Sequence, residues 1–353
     1  MGIRVGQVAF YAGPHTEGAP DNLEAVIVDF INQAKKRLEI AVQELESRPI
    51  AEAIIAARQR HVTVKIVIEQ SNLKRSPPKV DPWNSGGKNE SNRAVHDAVL
   101  RSNIDVKVDY NASIFHQKFI IRDREALLTG STNFTPTGTH RNLNHVVIVE
   151  DPEIAQVYAR EFAEIQQGHF GKLNEGHDPH PKELVVSDVP IKVLFAPDRN
   201  PEMEIMKQMM KARERIDFAI FNFAKSSGID DTMLRLLDVK MPITGAFDSR
   251  QGAGLVRGGG GGDFQSGWGT LCCKESGGVG KLHHKLMVLD GRQVVIAGSF
   301  NYTGPANALN DENIIILGSI EASTQKQRKA QQKIARFARN EIERIIQQDG
   351  HII

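Results

Sequence analysis

The stretch Phe115-His-Gln-Lys-Phe-Ile-Ile-Arg-Asp123, followed by Thr129-Gly-Ser-Thr-Asn-Phe-Thr135, returns later in the chain. Its second copy is His283-His-Lys-Leu-Met-Val-Leu-Asp290, followed by Ala297-Gly-Ser-Phe-Asn-Tyr-Thr303. Both copies read His-x-Lys-x4-Asp and then Gly-Ser-x-Asn. Strand alternation puts His116 and Lys118 on one face, and His283 and Lys285 likewise. A Gly-Ser turn after the next strand brings Asn133 and Asn301 toward the same edge.

The repeat extends outward from the motif. Val8–Pro14 and Val193–Pro197 each read as a strand ending in a proline turn. An amphipathic helix is expected after each, over about Asp21 to Arg37 and Pro201 to Arg215. Leu23, Ile27, Phe30, Ile31 and Ala34 recur at helical spacing in the first, and Met203, Ile205, Met206, Met209 and Met210 in the second. The methionines read as core filling. Strands follow at 38–42 and 216–220, short helices at 50–60 and 230–237, and further strands at 62–68 and 241–247. Helices at 152–167 and 322–348 close the two halves. Strands alternating with helices predict an α/β fold of two similar domains, each a mixed, mostly parallel sheet flanked by helices, packed with pseudo-twofold symmetry. The expected domains are residues 1–170 and 191–353. The linker, 171–190, lies within a stretch rich in Gly, His, Pro and Asp. Two such halves can build one site between them.

The paired motifs resemble the phospholipase D superfamily with its two HKD motifs, over nearly the whole chain. The resemblance implies a phosphodiesterase that needs no metal and no other cofactor. Lys118, Lys285, Asn133 and Asn301 would bind the nonbridging oxygens of a phosphodiester and the charge that develops on them. One neutral imidazole would attack phosphorus and form a phosphohistidine. The other would protonate the leaving oxygen and later deprotonate water. Ser131 and Ser299 belong to the supporting set. Asp123 and Asp290, at the ends of their strands, are implied to support the site without touching substrate. A carboxylate that fixes an imidazole tautomer is expected downstream. Glu312 supplies one in the second half, but the matching position of the first half is an amide, Asn144. The two histidines are therefore not equivalent. The first histidine is the usual nucleophile in two-motif relatives, which favours His116. The carboxylate argument favours whichever histidine Glu312 touches.

No HExxH or paired CxxC stands in the sequence. The two cysteines, Cys272 and Cys273, are adjacent, a poor arrangement for a disulfide or, with His283 and His284, for a zinc tetrahedron.

Composition narrows the partners. Of 353 residues 40% are hydrophobic and 25% charged, the balance of a globular protein. The longest apolar runs are five residues, far short of a membrane span, and the first residues lack a secretory h-region. A cytoplasmic protein without stable membrane association is the expectation. One chain can form the complete site, with room left for an oligomer. Net charge is only +1, so a nucleic-acid partner would be held by local patches. Two loops offer them: Ser71 to Glu90, with Lys74, Arg75, Lys79, Lys88 and Trp83, and Gln251 to Gly280, with Arg257, Lys274, Phe264 and Trp268. The second loop carries 12 glycines in 30 residues, fails the spacing of a phosphate-binding P-loop, and reads as a mobile lid. These loops favour nucleic acid, DNA or RNA, as substrate. The alternative is a phospholipase D or phosphatidyltransferase acting on phospholipid head groups.

Overall fold

The computed structural model describes all residues except 75–80, 82, 175, 177–178, 253–268, 273–278, 292 and 353; in 269–272 and at 352 only the backbone is described. Two mixed sheets stack with helices between and outside them. The first runs, in spatial order, Ile3–Val5, Val8–Gly13, Asn142–Val149, Ala126–Gly130, Lys118–Arg122, Arg37–Val42, Thr63–Ile68, Asp105–Val108. The second runs His351–Ile352, Gly269–Cys272, Ile243–Asp248, Ile216–Ile220, Lys285–Leu289, Val294–Gly298, Glu312–Leu317, Val189–Ala196, Leu184–Val186.

The α/β class and the duplication stand, but the sheets are less parallel than expected. Helix-connected units pair in parallel, such as Arg37–Val42 with Thr63–Ile68 and Ile216–Ile220 with Ile243–Asp248. The motif strand, the next strand and the third form an antiparallel meander in both halves, because tight turns rather than crossover helices join the first two.

Helices Pro152–Gln167 and Gln325–Gln348 fill the layer between the sheets. Tyr158 and Phe162 of one, and Ile334 and Ile342 of the other, share a core with Phe119 and Ile121 of the first sheet and Leu286 and Val288 of the second. The alternate residues, Ile120 on one side and Met287 and Leu289 on the other, face the two outer helix layers.

The long amphipathic helices are shorter than their periodicity predicts, Leu23–Asn32 and Pro201–Lys211. The motif aspartates explain the early ends. Asp123 accepts backbone N–H bonds from Lys35, Lys36 and Arg37 at 2.7–2.9 Å. Asp290 accepts from Arg213 and Glu214 at 2.6 and 2.8 Å. Each carboxylate thus pulls the chain out of the helix and into the strand beside its own motif strand.

The halves also interlock at the motif. Lys281–Leu282, just before His283, pairs in parallel with Asn142–Leu143 of the first sheet. Phe115, just before His116, bridges Asp311 of the second half, and His116 N–H donates to the Asp311 carbonyl at 3.0 Å.

Candidate active site

The interlock carries each motif histidine to the other half's supporting residue. His116 Nδ1 lies 2.7 Å from Oε2 of Glu312, and His283 Nδ1 lies 2.9 Å from Oδ1 of Asn144. The serines of the Gly-Ser turns complete the arrangement. Ser299 Oγ donates to Glu312 Oε2 at 2.6 Å and accepts Asn313 N–H. Ser131 Oγ donates to Asn144 Oδ1 at 2.8 Å and accepts His145 N–H. The preceding glycines are required by close approach: a Cβ on Gly130 would strike the carbonyl of His145, and one on Gly298 that of Asn313.

Asn144 is oriented by its own bonds. Its Nδ2 donates to the Gly138 carbonyl at 2.9 Å, so its oxygen faces Ser131 and His283. An accepting oxygen places the proton of neutral His283 on Nδ1 and leaves the Nε2 lone pair open to the site. Lys285 Nζ sits 3.2 Å from that Nε2 and donates to the His283 carbonyl at 2.9 Å. Lys118 Nζ donates to the His116 carbonyl at 2.7 Å and to Gln43 Oε1 at 3.2 Å.

All four motif side chains are buried, and their electrostatics follow from that. Burial, then the charges of Lys118 and Lys285, hold His116 well below the usual imidazole range. Burial, then Lys285 and Lys118, does the same to His283. Each histidine thus feels the lysines of both motifs. Burial pushes Lys118 down to about 7 against the pull of Glu312 and Glu44. Lys285 is pushed well down by burial and by Lys118. Burial pushes Glu312 up to about 8. These are groups held short of their charged forms, ready for an anion to restore the charge balance.

The structure brings His116, Lys118, His283 and Lys285 together, backed by Glu312, Asn144, Ser131 and Ser299. Asn133 donates to Glu44 Oε2 at 2.7 Å. The amide oxygens of Asn133 and Asn301 are buried without a partner, so neither amide is fully satisfied within the protein. Asp123 and Asp290 lie at the far ends of the motif strands, on the helix-to-strand turns.

Sequence reading missed Gln43, Glu44 and Phe221. Gln43 and Phe221 are equivalent, each following the strand that pairs with a motif strand. Gln43 accepts a hydrogen bond from Lys118. Phe221 instead lays its ring 5.0 Å from Lys285 Nζ and 5.4 Å from Lys281 Nζ, and tilts against His283 at 4.7 Å. Their only signal was position, one residue past the strand neighbouring the motif.

Among the described residues, no cluster of three His, Cys, Asp or Glu is arranged to hold a metal. Of the zinc ligands considered, His283 and His284 bond to Asn144 and His145, and Cys273 lies outside the described residues. Arg75, Lys79, Arg257, Lys274, Phe264 and Trp268, and most of the Gly-rich loop, also lie outside them. No helix among the described residues is long and apolar enough to cross a membrane.

Residues 27–166 and 205–334 match the family described as "Cardiolipin synthase, PLD-like domain". The chain is 32% identical over 139 residues to a phospholipase D of Rickettsia felis, covering 39% of this chain and 62% of that protein. It is 25% identical over 154 residues to a mitochondrial cardiolipin hydrolase of Xenopus tropicalis, covering 44% of this chain and 64% of the relative. The chain thus spans less than two thirds of the length of these curated relatives. The crystal structure of phosphatidylserine synthase from Haemophilus influenzae Rd KW20 superposes over 100% of this chain and 89% of its own, with a TM-score of 0.69 at 13% identity, a likeness of fold. With both halves matched by the family and the two histidine motifs meeting at one site, the chain belongs to the phospholipase D superfamily.

Proposed function

We propose that this chain is a metal-independent phosphodiesterase that works through a phosphohistidine on His116 and acts on phospholipid head groups. The observation that carries the chemistry is the crossed pairing of His116 with Glu312 and His283 with Asn144. In both rings Nδ1 is engaged, which leaves Nε2 as the reacting nitrogen. The Glu312 carboxylate favours the positive charge that develops on His116 as it attacks, while the Asn144 amide gives His283 no such help. His116 Nε2 forms a bond to phosphorus as the P–O bond to the leaving group breaks. His283 Nε2–H delivers its proton to that oxygen. His283 takes that proton up from solvent as the anion binds, because the bound negative charge favours the charged ring, and Lys285 keeps its own. Water then attacks phosphorus, His283 takes its proton, and the P–N bond breaks. Lys118, Lys285, Asn133 and Asn301 stabilise the phosphoryl oxygens throughout.

For the substrate, the rim beside His116 supports a lipid. Ile114, two residues from His116, is 45% exposed. Leu173, 69% exposed, lies on the turn whose Gly171 N–H binds Asp311, the residue bridged to Phe115. Aliphatic side chains offer nothing to stack on a base but suit an acyl region. The similar proteins, a phospholipase D and a cardiolipin hydrolase, support the same class. Trp83, 93% exposed between Lys74 and Lys88, favours a second reading, a nuclease. The test is incubation with phosphatidylcholine vesicles, single-stranded DNA, duplex DNA and RNA, all in EDTA. Choline release that survives EDTA is expected. Cleavage of nucleic acid alone replaces the lipid reading with the second one. Activity lost in EDTA and restored by magnesium overturns the mechanism.

A further inference from the structure

A cavity of about 670 Å³ lies away from the histidines, between the start of helix Pro152–Gln167, the linker residues 179–184 and the strand Val189–Ala196. Its floor is apolar: Ile154, Ile191, Val193 and Phe195 are buried core residues, with Val157 and Leu184 as half-buried walls. From Phe195, whose strand partner Asn313 directly follows Glu312, it runs away from the catalytic end. Ile191 pairs with Leu317, five residues along the strand from Glu312, or roughly 17 Å at the rise of an extended chain.

The charged part of the lining is mostly basic. Arg124, Arg160, Arg199, Lys182 and His180 line the cavity, against a single acid, Glu153. Two of the arginines are already engaged: Arg124 pairs with Glu39 at 3.2 Å, and Arg199 lies 3.8 Å from Asp198. Arg160 is different. Its Nε, like that of Arg199, is buried without a hydrogen-bond partner, but unlike Arg199 it has no acid within ion-pair distance among the described residues. The N-terminus of the helix cannot be the anion's partner, because Asp151 already accepts the Glu153 and Ile154 N–H groups at 3.0 Å.

We propose that this cavity binds an amphipathic anion, its acyl chain along Ile191, Val193 and Phe195 and its anionic head on Arg160. The volume falls within the range of ligand pockets. The aliphatic lining suits an alkyl chain rather than a nucleobase. An uncompensated guanidinium over an apolar floor rewards a ligand carrying both parts over either part alone.

Binding to the full chain is measured by calorimetry with oleate, phosphatidate vesicles, inorganic phosphate and dodecyltrimethylammonium. Oleate or phosphatidate should bind, while inorganic phosphate and the cationic amphiphile should not compete. Binding of oleate alone assigns the site to free fatty acid, and phosphatidate binding that is lost in Arg160→Gln assigns it to a phospholipid. Arg160→Gln should weaken binding about tenfold or more through loss of a charge-assisted bond. It should leave the hydrolysis of a small soluble phosphodiester unchanged. Val157→Trp should block the chain by filling the cavity. Should the variants fold poorly, a diazirine-labelled fatty acid on the wild-type protein should mark peptides 152–160 or 184–195. Labelling elsewhere, equal binding of the cationic amphiphile, or undiminished binding by a folded Arg160→Gln protein overturns the proposal.

Discussion

Glu312 and His116 stand 196 residues apart, in opposite halves of the chain, and meet at 2.7 Å, whereas the equivalent partner of His283 is the amide of Asn144. A duplicated site has become asymmetric at the one position that sets imidazole basicity. Glu312 is buried, its second oxygen has no partner, and burial pushes it up to about 8, so the carboxylate is retained there at a cost to stability. Glu312→Gln should keep the bond to Ser299 and the fold but lower the rate about 10- to 100-fold, the usual effect of losing a supporting carboxylate. The check is kcat on a soluble phosphodiester beside a thermal melt. Unchanged kcat would remove Glu312 from the mechanism.

The same asymmetry assigns the covalent step. With His283 replaced by Asn, the enzyme should still attack a substrate with a good leaving group but should lack the base that activates water. An acid-labile phosphohistidine on His116 should then accumulate. His116→Ala should form no adduct with any substrate. Mass spectrometry of protein quenched at alkaline pH reads both outcomes, and an adduct found on His283 would reverse the roles.

Much of this was legible in the sequence, for physical reasons. The motif residues are polar side chains at spacings that strand alternation turns into one face, so the sequence alone places His116 beside Lys118 and His283 beside Lys285. What could not be read was pairing between the halves. Whether Glu312 reaches His116 or His283 depends on Phe115 bridging Asp311, a long-range contact with no local signature. The ends of the first helices were hidden likewise, because Asp123 and Asp290 act on backbone amides more than 75 residues away. The sheets were read as mostly parallel because helical periodicity between strands is easy to see, while the tight turns of the meander are not. Gln43 and Phe221 share a structural position but no chemistry, so comparing the halves conceals both.

Lys118 should write itself into the pH profile. Burial pushes it down to about 7, and only its protonated form helps hold a phosphodiester anion. In the free enzyme kcat/KM should therefore fall as pH rises through about 7. Lys118→Arg keeps a cation that does not deprotonate in this range. Its profile should lose the alkaline limb near 7 even though the altered geometry lowers the rate. Lys118→Ala should lose about 10² or more in rate, as for removal of a preorganised charge donor. An alkaline limb that stays in place in Lys118→Arg would show that another group titrates there.

Behind the site a second cross-half contact differs between the repeats. His284, next to His283, lies with its Nδ1 3.1 Å from Nδ1 of His145, the rings stacked at 5.3 Å; in the other half the equivalent pair is Gln117 and Asn313, bonded at 2.6 Å. The proton positions are fixed by one more bond. Gly298 N–H donates to His145 Nε2 at 3.1 Å, so neutral His145 carries its proton on Nδ1 and donates it to His284. His284 then holds its proton on Nε2, which faces Glu341 at 3.7 Å, and Arg344 binds that carboxylate at 2.7 and 2.9 Å. Proton uptake by His145 would cost the Gly298 bond, and uptake by His284 would set two N–H groups against each other. Burial lowers both histidines, helped for His145 by the charges of His284 and Lys285; for His284, Glu341 works the other way. The unfolded chain therefore binds more protons than the folded one below the ordinary histidine value of about 6.5, so stability must fall as pH drops through that range. His284→Gln places an amide there, as in the other half, and its Nε2 or Oε1 can meet His145 without titrating. Thermal melts from pH 5 to pH 8 should show a shallower acid loss in His284→Gln than in the wild type, and His145→Asn combined with it should be shallower still. Parallel melting curves for all three proteins would show that the acid sensitivity arises elsewhere, with the motif histidines themselves next to be tested.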